Sequence, residues 1–589
     1  MKKTITGANP YMPLWEHIPD GEPRVFEHNG EKRVYLYGSH DTLLSEYCGD
    51  DYVVWSAPVD DMSNWTCHGV CYKAMTDRPL YAPDVVYKDG YYYMYVAEAQ
   101  GSKVYVVRSE NPTGPFTDPV LTELGFDPGI LVDDDGRVYA YWGFCGSFAA
   151  ELNDDMATIK KGTVVEHMLG HADTPWTNEK DHIDLDDAFF EASSPRKVNG
   201  KYVLVYSRRY QRHKPELGVY DDCNGFLSYK YSDTPLGGFV EGGDISFNGG
   251  EVIPDKARGG KAVSFEGGTR IEGYGIMTYK WGNNHGSIMQ VGDDWYVFYH
   301  RQTGTNEYSR QAMVEKIDVA MGKDGHLYIG AIEYKDGEPV KSYPVEMTSQ
   351  GAQLNGLDAY GYISAGYACH IYDGSGKSIY ITQTPDGTPD QTTEAESEAS
   401  EKHFEPMMIL PVYTPDSDLP EDVFKKVLEE GRVAIKGSGL EVSKKSFTLG
   451  VAHEESGDFS SPIINVRNKA TIGFKYIQFG ETSPVSVSVK CGRWNESVLG
   501  NGSAGNANKT GDENGSAAGA LTINVRIDSY EGDIIAVINS DNKDIAFGLD
   551  KTQLSADLDK KVTGRHAVYF EFVADEDQVY AFDGFTFDR

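Results

Sequence analysis

The segment KDGYYYMYVA (88–97) decides the fold. An Asp-Gly turn pair precedes a run of aromatic and β-branched residues, which is typical of a hairpin leading into a β-strand. The same order of turn pair and aromatic strand returns four more times in the first part of the chain. The other copies are GEKRVYLYGS (30–39), DDGRVYAYWG (134–143), VNGKYVLVYS (198–207) and GDDWYVFYHR (292–301).

A second, longer pattern also repeats. SENPTGPF (109–116) and SDTPLGGF (232–239) share the spacing S-x-x-P-x-G-x-F, and each follows a strand-like segment. Two similar turns can arise by chance, but five strand repeats and a duplicated turn motif favour a repeated architecture. Because the repeats are not separated by helical stretches, the sequence predicts an all-β, five-bladed β-propeller over residues 1–345 with four strands in each blade.

The remaining residues, 346–589, differ in composition. They begin with an acidic insert near 382–440, in which LPEDVFKKVLEEGR (419–432) predicts a short helix ending at Gly. Short strand-like segments return from about residue 446 to the end and predict a β-sandwich of the jelly-roll type. A Gly/Asn/Ser-rich segment at 500–520 predicts a flexible loop between two of these strands.

The net charge of the chain restricts its partners. Asp and Glu number 90 against 54 Lys and Arg, which gives a formal charge of −36. Such a charge repels nucleic acid and anionic membranes, and it is compatible with a neutral ligand such as a sugar. The oligomeric state is left open.

The ends and the cysteines of the chain carry further expectations. Apolar runs of 18 residues are absent, so no transmembrane helix is expected, and MKKTITGANPYMP at the start has no apolar region typical of a signal peptide. The seven cysteines are an odd number, and we interpret them as mostly reduced residues of a cytoplasmic protein. Cys67 and Cys71 have the spacing C-x3-C, which makes a zinc site the weaker alternative.

Three acids occupy corresponding positions ahead of the aromatic repeats: Asp20, Asp127 and Glu191. A single acid at a turn is usually a cap or a solvated carboxylate, and the DDDG run (133–136) is best interpreted in that way. Corresponding positions in successive blades converge on one central depression, where three carboxyl groups would shift each other's pKa. Glu191 also follows two phenylalanines in DDAFFEASSPRK, and desolvation by these rings would raise its pKa.

At this point the sequence resembles a known family. The motifs PDGEP, YAPDVVYKDGYYYMY, FDPGILVDDDGRVYAYWG, FFEASSPRKVNGKYVLVYS and NNHGSI are similar, in order, to those of glycoside hydrolase family 43. The resemblance covers residues 8–345 and is greatest to the branch of β-xylosidases and α-L-arabinofuranosidases. It implies a five-bladed propeller that inverts the configuration at the sugar carbon. The end of the chain, including ATIGFKYIQFG and the final GRHAVYFEFVADEDQVYAFDGFTFDR, resembles a family 6 carbohydrate-binding module.

The resemblance implies a role for each acid. Glu191 would be the general acid, Asp20 the general base, and Asp127 would set the pKa and orientation of Glu191. Inverting hydrolysis needs an acid and a base about 6.5–9.5 Å apart, so that a water molecule fits beside the sugar. The family usually has Asp-Pro at the base, whereas this chain has PDGEP, so Glu22 competes with Asp20. The preceding Pro favours Asp20.

The resemblance also implies residues around the acids. His285 would lie beside a hydrated calcium or sodium ion with a structural or pKa-tuning role; calcium in the C-terminal module is a further expectation, and no organic cofactor is implied. Arg301 either pairs with Asp127 or is a surface residue at a strand end. Four residues at strand ends are expected to contact substrate, the aromatic pair by stacking on a sugar face and the polar pair by bonding to hydroxyls, with core packing as the alternative for the tryptophan: His40, Asp41, Trp142 and Phe144.

The sequence therefore predicts an inverting exo-glycosidase that removes xylose or arabinofuranose from oligosaccharides of xylan or arabinoxylan. The alternative is a non-catalytic propeller that binds glycans, and a more distant alternative is an invertase-like fructosidase. Retention of all three acids opposes the binding-only hypothesis. The choice between xylose and arabinofuranose, which differ mainly in the pocket shape they need, is left open.

Overall fold

The structure is a computed structural model that describes residues 8–589 except 15, 42–46, 77–78, 99–100, 170–187, 211–213, 221–222, 280, 304–307, 309, 352–355, 375–406, 410–433, 437–440, 444–450, 453–458, 495–517 and 549–551. These residues form β-strands and a few single-turn 3-10 helices, at Pro215–Leu217, Lys256–Arg258, Ala365–Tyr367 and Asn542–Asp544. The prediction of an all-β protein is confirmed. The predicted helix at 419–432, most of the acidic insert and nearly all of the predicted loop lie outside the described residues.

Five antiparallel sheets follow one another along the first part of the chain, and each pairs its strands in chain order. Sheets 1 and 2 contain β1 (Glu22–His28), β2 (Glu31–Tyr37), β3 (Asp51–Pro58) and β4 (Thr66–Lys73), then β5 (Tyr81–Lys88), β6 (Tyr91–Glu98), β7 (Lys103–Ser109) and β8 (Thr117–Leu121). Sheets 3 and 4 contain β9 (Gly129–Val132), β10 (Val138–Trp142), β11 (Phe148–Leu152) and β12 (Val165–Glu166), then β13 (Ala188–Val198), β14 (Lys201–Tyr210), β15 (Cys223–Ser232) and β16 (Val240–Phe247).

Two small hairpins separate sheet 4 from sheet 5. Their strands are β17 (Val252–Pro254), which pairs with β20 (Gly275–Met277), and β18 (Lys261–Phe265), which pairs with β19 (Gly268–Glu272). Sheet 5 contains β21 (Ser287–Val291), β22 (Asp294–Gln302), β23 (Arg310–Met321), β24 (Leu327–Lys335) and β25 (Glu338–Tyr343). It has five strands, so the prediction of four strands in every sheet is wrong for this one, because β25 pairs with β24 and adds a fifth strand.

The aromatic repeats are the second strands of the five sheets, β2, β6, β10, β14 and β22. The repeat at β6 shows why these strands have apolar side chains on both faces. Tyr92 and Met94 of β6 pack in the cluster shared with sheet 1, whereas Tyr95 and Ala97 pack in the cluster shared with sheet 3. A strand that is covered on both sides has no polar face, so its sequence reads as a continuous apolar run.

The duplicated turn motif also has an equivalent place in two sheets. SENPTGPF connects the third and fourth strands of sheet 2, and SDTPLGGF connects the same two strands of sheet 4. The repeat in sequence therefore corresponds to a repeat in topology.

The first strands of the sheets contact one another in succession: β1 with β5, β5 with β9, β9 with β13, and β21 with β1. Strand β21 also contacts β14, the second strand of sheet 4. Polar side chains connect them. Arg24 of β1 donates to the Asp84 carboxylate of β5 at 2.7 Å and to the Ile130 carbonyl of β9 at 3.1 Å. Ser194 of β13 donates to Ser287 of β21 at 2.6 Å.

The rest of the chain forms further strands: β26 (Leu357–Asp358), β27 (Ile363–Ser364), β28 (His370–Tyr372), β29 (Met408–Ile409), β30 (Ala434–Lys436), β31 (Glu441–Ser443), β32 (Val451–Ala452), β33 (Phe459–Ser460), β34 (Ile463–Val466), β35 (Thr471–Gly480), β36 (Ser486–Arg493), β37 (Ala520–Ile527), β38 (Ile534–Asp541), β39 (Thr552–Asp557), β40 (Gly564–Val573) and β41 (Tyr580–Asp588).

Two six-stranded sheets contain most of these strands. One has the order β26-β35-β40-β37-β38 with β28 also on β35, and the other has the order β29-β34-β41-β36-β39 with β27 also on β41. Residues of both sheets share one buried cluster, in which Phe474 and Phe570 of the first sheet contact Phe585 of the second at ring distances of 4.8 Å and 4.6 Å. Strands β30–β31 and β32–β33 form two separate pairs.

A cluster of charged and polar side chains connects the six-stranded sheet that contains β35 to the loop after β16. Glu251 accepts hydrogen bonds from His370 Nδ1 at 2.7 Å and the Tyr569 hydroxyl at 3.1 Å, and it lies 3.1 Å from Lys475 Nζ. Burial acts to raise the pKa of Glu251, but Lys475 and His370 prevail and hold it well below its usual range. The buried Lys475 ammonium also pairs with Glu346.

Glu251→Gln is therefore expected to lower the free energy of unfolding by about 3 kcal/mol, because it leaves a buried cation short of a partner. The pKa of Glu251 is depressed, so its stabilisation is present above the ordinary glutamate pKa and is lost as the pH falls below about 5. Urea unfolding at pH 7 measures the effect. The control is Glu531→Gln, whose ion pair with Lys256 is half-exposed and is expected to contribute less than about 1 kcal/mol. Equal effects of the two substitutions would contradict this account.

Among the described residues, no helix is long and apolar enough to cross a membrane. All seven cysteines lie in described segments, none of them in a disulfide, and all except Cys67 are buried.

Candidate active site

Asp20, Asp127 and Glu191 line one cavity of about 540 Å³, together with His285. The sequence treats them as corresponding positions, and the structure brings all three together. Each is at most 9% exposed. Asp20 lies two residues before the first strand of sheet 1, Asp127 two residues before that of sheet 3, and Glu191 near the start of the first strand of sheet 4.

The backbone at this cavity is strained. Asp20 has a φ of 57° and Asp127 a φ of 49°, and Ala192, directly after Glu191, has a φ of 68°. These are left-handed conformations that residues other than glycine seldom adopt. The pairing of β13 with β14 also shifts register on both sides of Glu191. Such irregularities at the starts of strands turn the acids out of their sheets and into the cavity.

Asp20 is held as an anion. Its carboxylate accepts hydrogen bonds from Ser39 at 2.7 Å and from Arg310 Nη1 at 3.1 Å. Burial acts to raise the pKa of Asp20, but Arg310, with smaller contributions from His285 and His300, prevails and lowers it to about 2. Asp20 is therefore ionised throughout the physiological range and can accept a proton.

Glu191 is held as an acid. Burial and the negative charge of Asp20 raise the pKa of Glu191 to about 8, and the Arg310 cation and a hydrogen bond with the Asn283 side chain only partly offset this. Burial and the charges of Glu191 and Asp20 also raise the pKa of Asp127 well above its usual range. The surroundings of Asp127 therefore disfavour its ionised form. Glu191 and Asp127 behave as a coupled pair that retains a proton near neutral pH.

Glu22, the alternative base, lies in a different environment. Its carboxylate accepts a hydrogen bond from Ser194 at 2.9 Å and pairs with Arg196 and, at 3.3 Å, with Arg24. These residues belong to the contacts between the first strands and do not line the cavity. The structure therefore places Asp20, and not Glu22, beside Glu191.

Arg310 and Arg209 both line the cavity, and the sequence analysis missed them. Arg310 donates to Asp20 with Nη1, and Nε and Nη2 each donate to Asp41 at 2.9 Å. Arg301, the predicted arginine, instead donates to the carbonyls of Ala368 at 2.7 Å and Gly366 at 3.1 Å. Its predicted pairing with Asp127 is wrong, because its side chain faces the segment after sheet 5. Arg310 is the first residue of β23, and the sequence around it contains no motif that indicates a functional residue.

Asp41 and His40 also differ from the prediction that they bind sugar hydroxyls. Both oxygens of Asp41 accept from Arg310, so Asp41 supports the arginine and has no exposed surface. His40 donates to Asp51 at 2.6 Å and to Glu16 at 3.0 Å. Burial acts to lower the pKa of His40, but these carboxylates prevail and raise it to about 10. Both ring nitrogens are thus committed inside the protein, and the sugar-binding prediction is wrong for both residues.

The two aromatic residues predicted to stack on a sugar, Trp142 and Phe144, lie in different environments. Trp142 is a core residue that stacks on Phe148 at 5.9 Å, so the alternative of core packing is correct for it. Phe144 is 46% exposed and lines the cavity. Its ring contacts Phe126 at 5.5 Å and Phe190 at 5.2 Å. Stacking of a sugar on Phe144 stays a prediction.

Only one of the two phenylalanines before Glu191 borders the cavity. Phe190 lines it, whereas Phe189 packs against Tyr206 in the core between sheets 3 and 4. The desolvation expected from the Phe-Phe pair therefore comes from Phe190 on the cavity side and from the general burial of the strand.

His285 lies between two of the acids, with Nδ1 at 3.7 Å from both Asp20 Oδ1 and Asp127 Oδ2. Burial lowers its pKa, although the charge of Asp20 acts in the opposite direction. In the part of the chain that the structure describes, no three His, Cys, Asp or Glu side chains are arranged to hold a metal ion. These residues do not fit a directly ligated calcium, and a hydrated ion held beside His285 through water stays a prediction.

Arg310→Lys is expected to reduce turnover about 100-fold, since lysine cannot bridge Asp20 and Asp41 with a planar fork. Arg310 is the main group that lowers the pKa of Asp20, so the substitution raises that pKa and moves the acidic limb of the pH–rate profile to higher pH. Profiles of wild type and variant measure the shift. An unchanged acidic limb with normal turnover would show that Arg310 does not act on Asp20.

Comparison with known proteins gives a family and several relatives. The family model described as glycosyl hydrolases family 43 matches residues 21–242. A protein named xylosidase/arabinosidase from Thermoclostridium stercorarium is 34% identical over 408 residues, which is 64% of this chain and 74% of that protein. An arabinoxylan arabinofuranohydrolase from Paenibacillus polymyxa is 27% identical over 394 residues, 60% of this chain and 54% of that protein.

Solved structures are more distantly similar. A family 43 β-xylosidase/α-arabinofuranosidase from a compost microbial metagenome, in complex with xylotriose and in a calcium-free form, has 23% sequence identity and a TM-score of 0.39 over 55% of this chain and 98% of that one.

Proposed function

The chain belongs to family 43 of the glycosyl hydrolases, and on that premise we propose that it is an inverting exo-glycosidase with Asp20 as base and Glu191 as acid. The observation that carries these roles is the pair of opposite pKa shifts in one cavity. Asp20 is lowered to about 2 and Glu191 is raised to about 8, which separates a proton acceptor from a proton donor at neutral pH.

The proposal includes the arrangement of the five sheets as blades of a propeller. Support comes from the succession of contacts between their first strands and from acids that start three of those strands and meet in one cavity. Residues 1–345 would form this catalytic domain. Residues 346–589 would form a sandwich, which the buried cluster shared by its two sheets supports.

The reaction follows from the roles of the acids. A water molecule beside Asp20 attacks the anomeric carbon while Asp20 removes a proton from it. The bond from that carbon to the glycosidic oxygen breaks, and Glu191 donates its proton to the departing oxygen. The products are a free sugar of inverted configuration and the shortened alcohol, with Asp20 protonated and Glu191 ionised until solvent resets them.

Arg310 and Asp127 support this exchange. The Arg310 cation keeps Asp20 ionised before the reaction. Asp127 accepts a hydrogen bond from the Ala192 N–H at 3.3 Å and so holds the backbone next to Glu191. His285, between the two aspartates, separates the base from the acid pair.

We propose terminal xylose or arabinofuranose on oligosaccharides of xylan or arabinoxylan as the substrate. Relatives named xylosidase/arabinosidase and arabinoxylan arabinofuranohydrolase support this choice. The cavity volume of about 540 Å³ suits the end of a chain, and its aromatic rim of Phe144 and Phe190 suits a neutral sugar face.

The experiment is release of 4-nitrophenol from the β-xyloside, the α-L-arabinofuranoside and the β-galactoside. Turnover on either pentoside, lost in Glu191→Gln, is the expected result. Binding of xylo-oligosaccharides without turnover of any glycoside would favour the non-catalytic alternative, and turnover of sucrose or fructans alone would favour a fructosidase.

A further inference from the structure

We propose that His300 is a positioning residue for both halves of the reaction, one ring nitrogen fixing the base and the other fixing the loop that contacts the acid. This inference rests on the proposed roles of Asp20 and Glu191. His300 lies in β22, the aromatic repeat of sheet 5, and its side chain is fully buried. It does not line the cavity, so it acts on substrate only through its neighbours.

The Nδ1 face of His300 holds the base. The backbone N–H of Asp20 donates to His300 Nδ1 at 3.1 Å. Asp20 has a left-handed backbone, which is unfavourable for an aspartate and needs support from its surroundings. The hydrogen bond fixes the peptide that carries the carboxylate, whereas Ser39 and Arg310 fix the carboxylate oxygens. Together they determine where the attacking water can be deprotonated.

The Nε2 face holds the loop at the acid. His300 Nε2 donates to the Asn283 carbonyl at 2.8 Å, and the Asn283 side chain hydrogen-bonds Glu191. The same loop continues to His285, which lies between Asp20 and Asp127. One imidazole thus connects the peptide of the base to the partner of the acid and sets the distance between the two across the substrate.

This arrangement requires a single protonation state. Nδ1 must be an acceptor and Nε2 a donor, so the ring must be the neutral Nε2–H tautomer. Burial and the Arg310 cation lower the pKa of His300 to about 3, which keeps it neutral across the working range. The carboxylate of Asp20, 3.6 Å away, acts in the opposite direction without prevailing.

Two conservative substitutions each remove one of the two hydrogen bonds of His300 and keep the other. Asparagine places an amide atom where Nδ1 lies, so His300→Asn keeps the acceptor for Asp20 and loses the bond to Asn283. Glutamine places its amide near Nε2, so His300→Gln keeps the bond to Asn283 and loses the acceptor for Asp20. The test compares kcat on an aryl glycoside with a very acidic phenol and on one with a weakly acidic phenol.

His300→Gln is expected to lose about 100-fold on both substrates, because a displaced base slows every attack. His300→Asn is expected to lose at least ten times more on the poor leaving group than on the good one, because a displaced acid matters only where a proton is needed. KM is expected to change little in both. Identical leaving-group dependence in the two variants would overturn the proposal, as would wild-type rates in either.

Substitutions of the base and the acid themselves, here called the parent variants, separate this inference from the proposed function. If Asp20→Asn and Glu191→Gln show the base and acid patterns while the His300 variants do not, only the inference fails. If the parent variants lack those patterns, the proposed function fails. Should either His300 variant not fold, judged by its thermal transition, a neutron structure of the wild-type enzyme decides instead: hydrogen on Nε2 alone supports the proposal, and hydrogen on Nδ1 overturns it.

Discussion

Glu191→Gln is expected to lose turnover in proportion to how much the leaving group needs a proton. On glycosides of weakly acidic alcohols the loss is expected to be about 10³-fold or more, within the range for general acid catalysis. On aryl glycosides with very acidic phenols the loss is expected to be far smaller, because these leaving groups depart as anions. A plot of kcat against leaving-group pKa for wild type and variant measures the difference.

The same substitution is expected to remove the basic limb of the pH–rate profile. Burial and Asp20 raise the pKa of Glu191 to about 8, so the wild-type acid is protonated below that pH and activity falls as the pH rises through it. A glutamine cannot titrate, so the residual activity of the variant is expected to stay level there.

The control is Asp133→Asn, the same chemical change at a carboxylate outside the cavity. Asp133 pairs with Lys197 at 2.5 Å and accepts from Tyr202 at 2.5 Å in the turn before β10, so its loss leaves the leaving-group dependence unchanged. Equal losses by Glu191→Gln on good and poor leaving groups would mean that Glu191 is not the proton donor.

Asp20→Asn is expected to lower turnover about 10³-fold irrespective of the leaving group, since water attack needs a base in every case. Azide, which needs no deprotonation, is expected to restore part of the activity on glycosides of acidic phenols and to give a glycosyl azide of inverted configuration. Rates with and without azide, and the configuration of the azide product, are the measurements.

Glu22→Gln is the matched comparison, because it removes the competing carboxylate. Glu22 lies with Arg196 and Arg24 in the contacts between first strands. Arg24 keeps Asp84, but neutralisation of Glu22 removes the carboxylate that pairs with the buried Arg196, and it is expected to lower stability by about 3 kcal/mol. The folded fraction is expected to keep turnover and to show no azide rescue. A dead but folded Glu22→Gln together with an active Asp20→Asn would reverse the assignment of the base.

The strand repeats and the acids were predictable from the sequence because they depend on local chemistry. An aromatic strand such as β6 is apolar on both faces because sheets cover it on both sides. Its sequence is therefore a continuous run of apolar residues, which can be recognised without the structure. Asp20, Asp127 and Glu191 could be chosen because each stands shortly ahead of an aromatic strand repeat.

The supporting residues were not predictable because their partners are distant in the chain. Arg310 contacts Asp20 across 290 positions, and His300 contacts it across 280. Arg301 and Arg310 both lie in strands of sheet 5, and only the fold decides that the second one reaches the cavity. His40 and Asp41 were misassigned for the same reason: a position at a strand end does not show which way its side chain is turned.

The stereochemistry of hydrolysis tests the central claim most directly. Proton NMR of the first turnovers on the 4-nitrophenyl glycoside that the enzyme cleaves, recorded before mutarotation, shows the anomer that is released. Inverting hydrolysis with water held by Asp20 and a proton from Glu191 predicts a first product of configuration opposite to that of the substrate. A first product that retains the substrate's configuration would require a covalent glycosyl-enzyme, and it would contradict the assignment of Asp20 as a base.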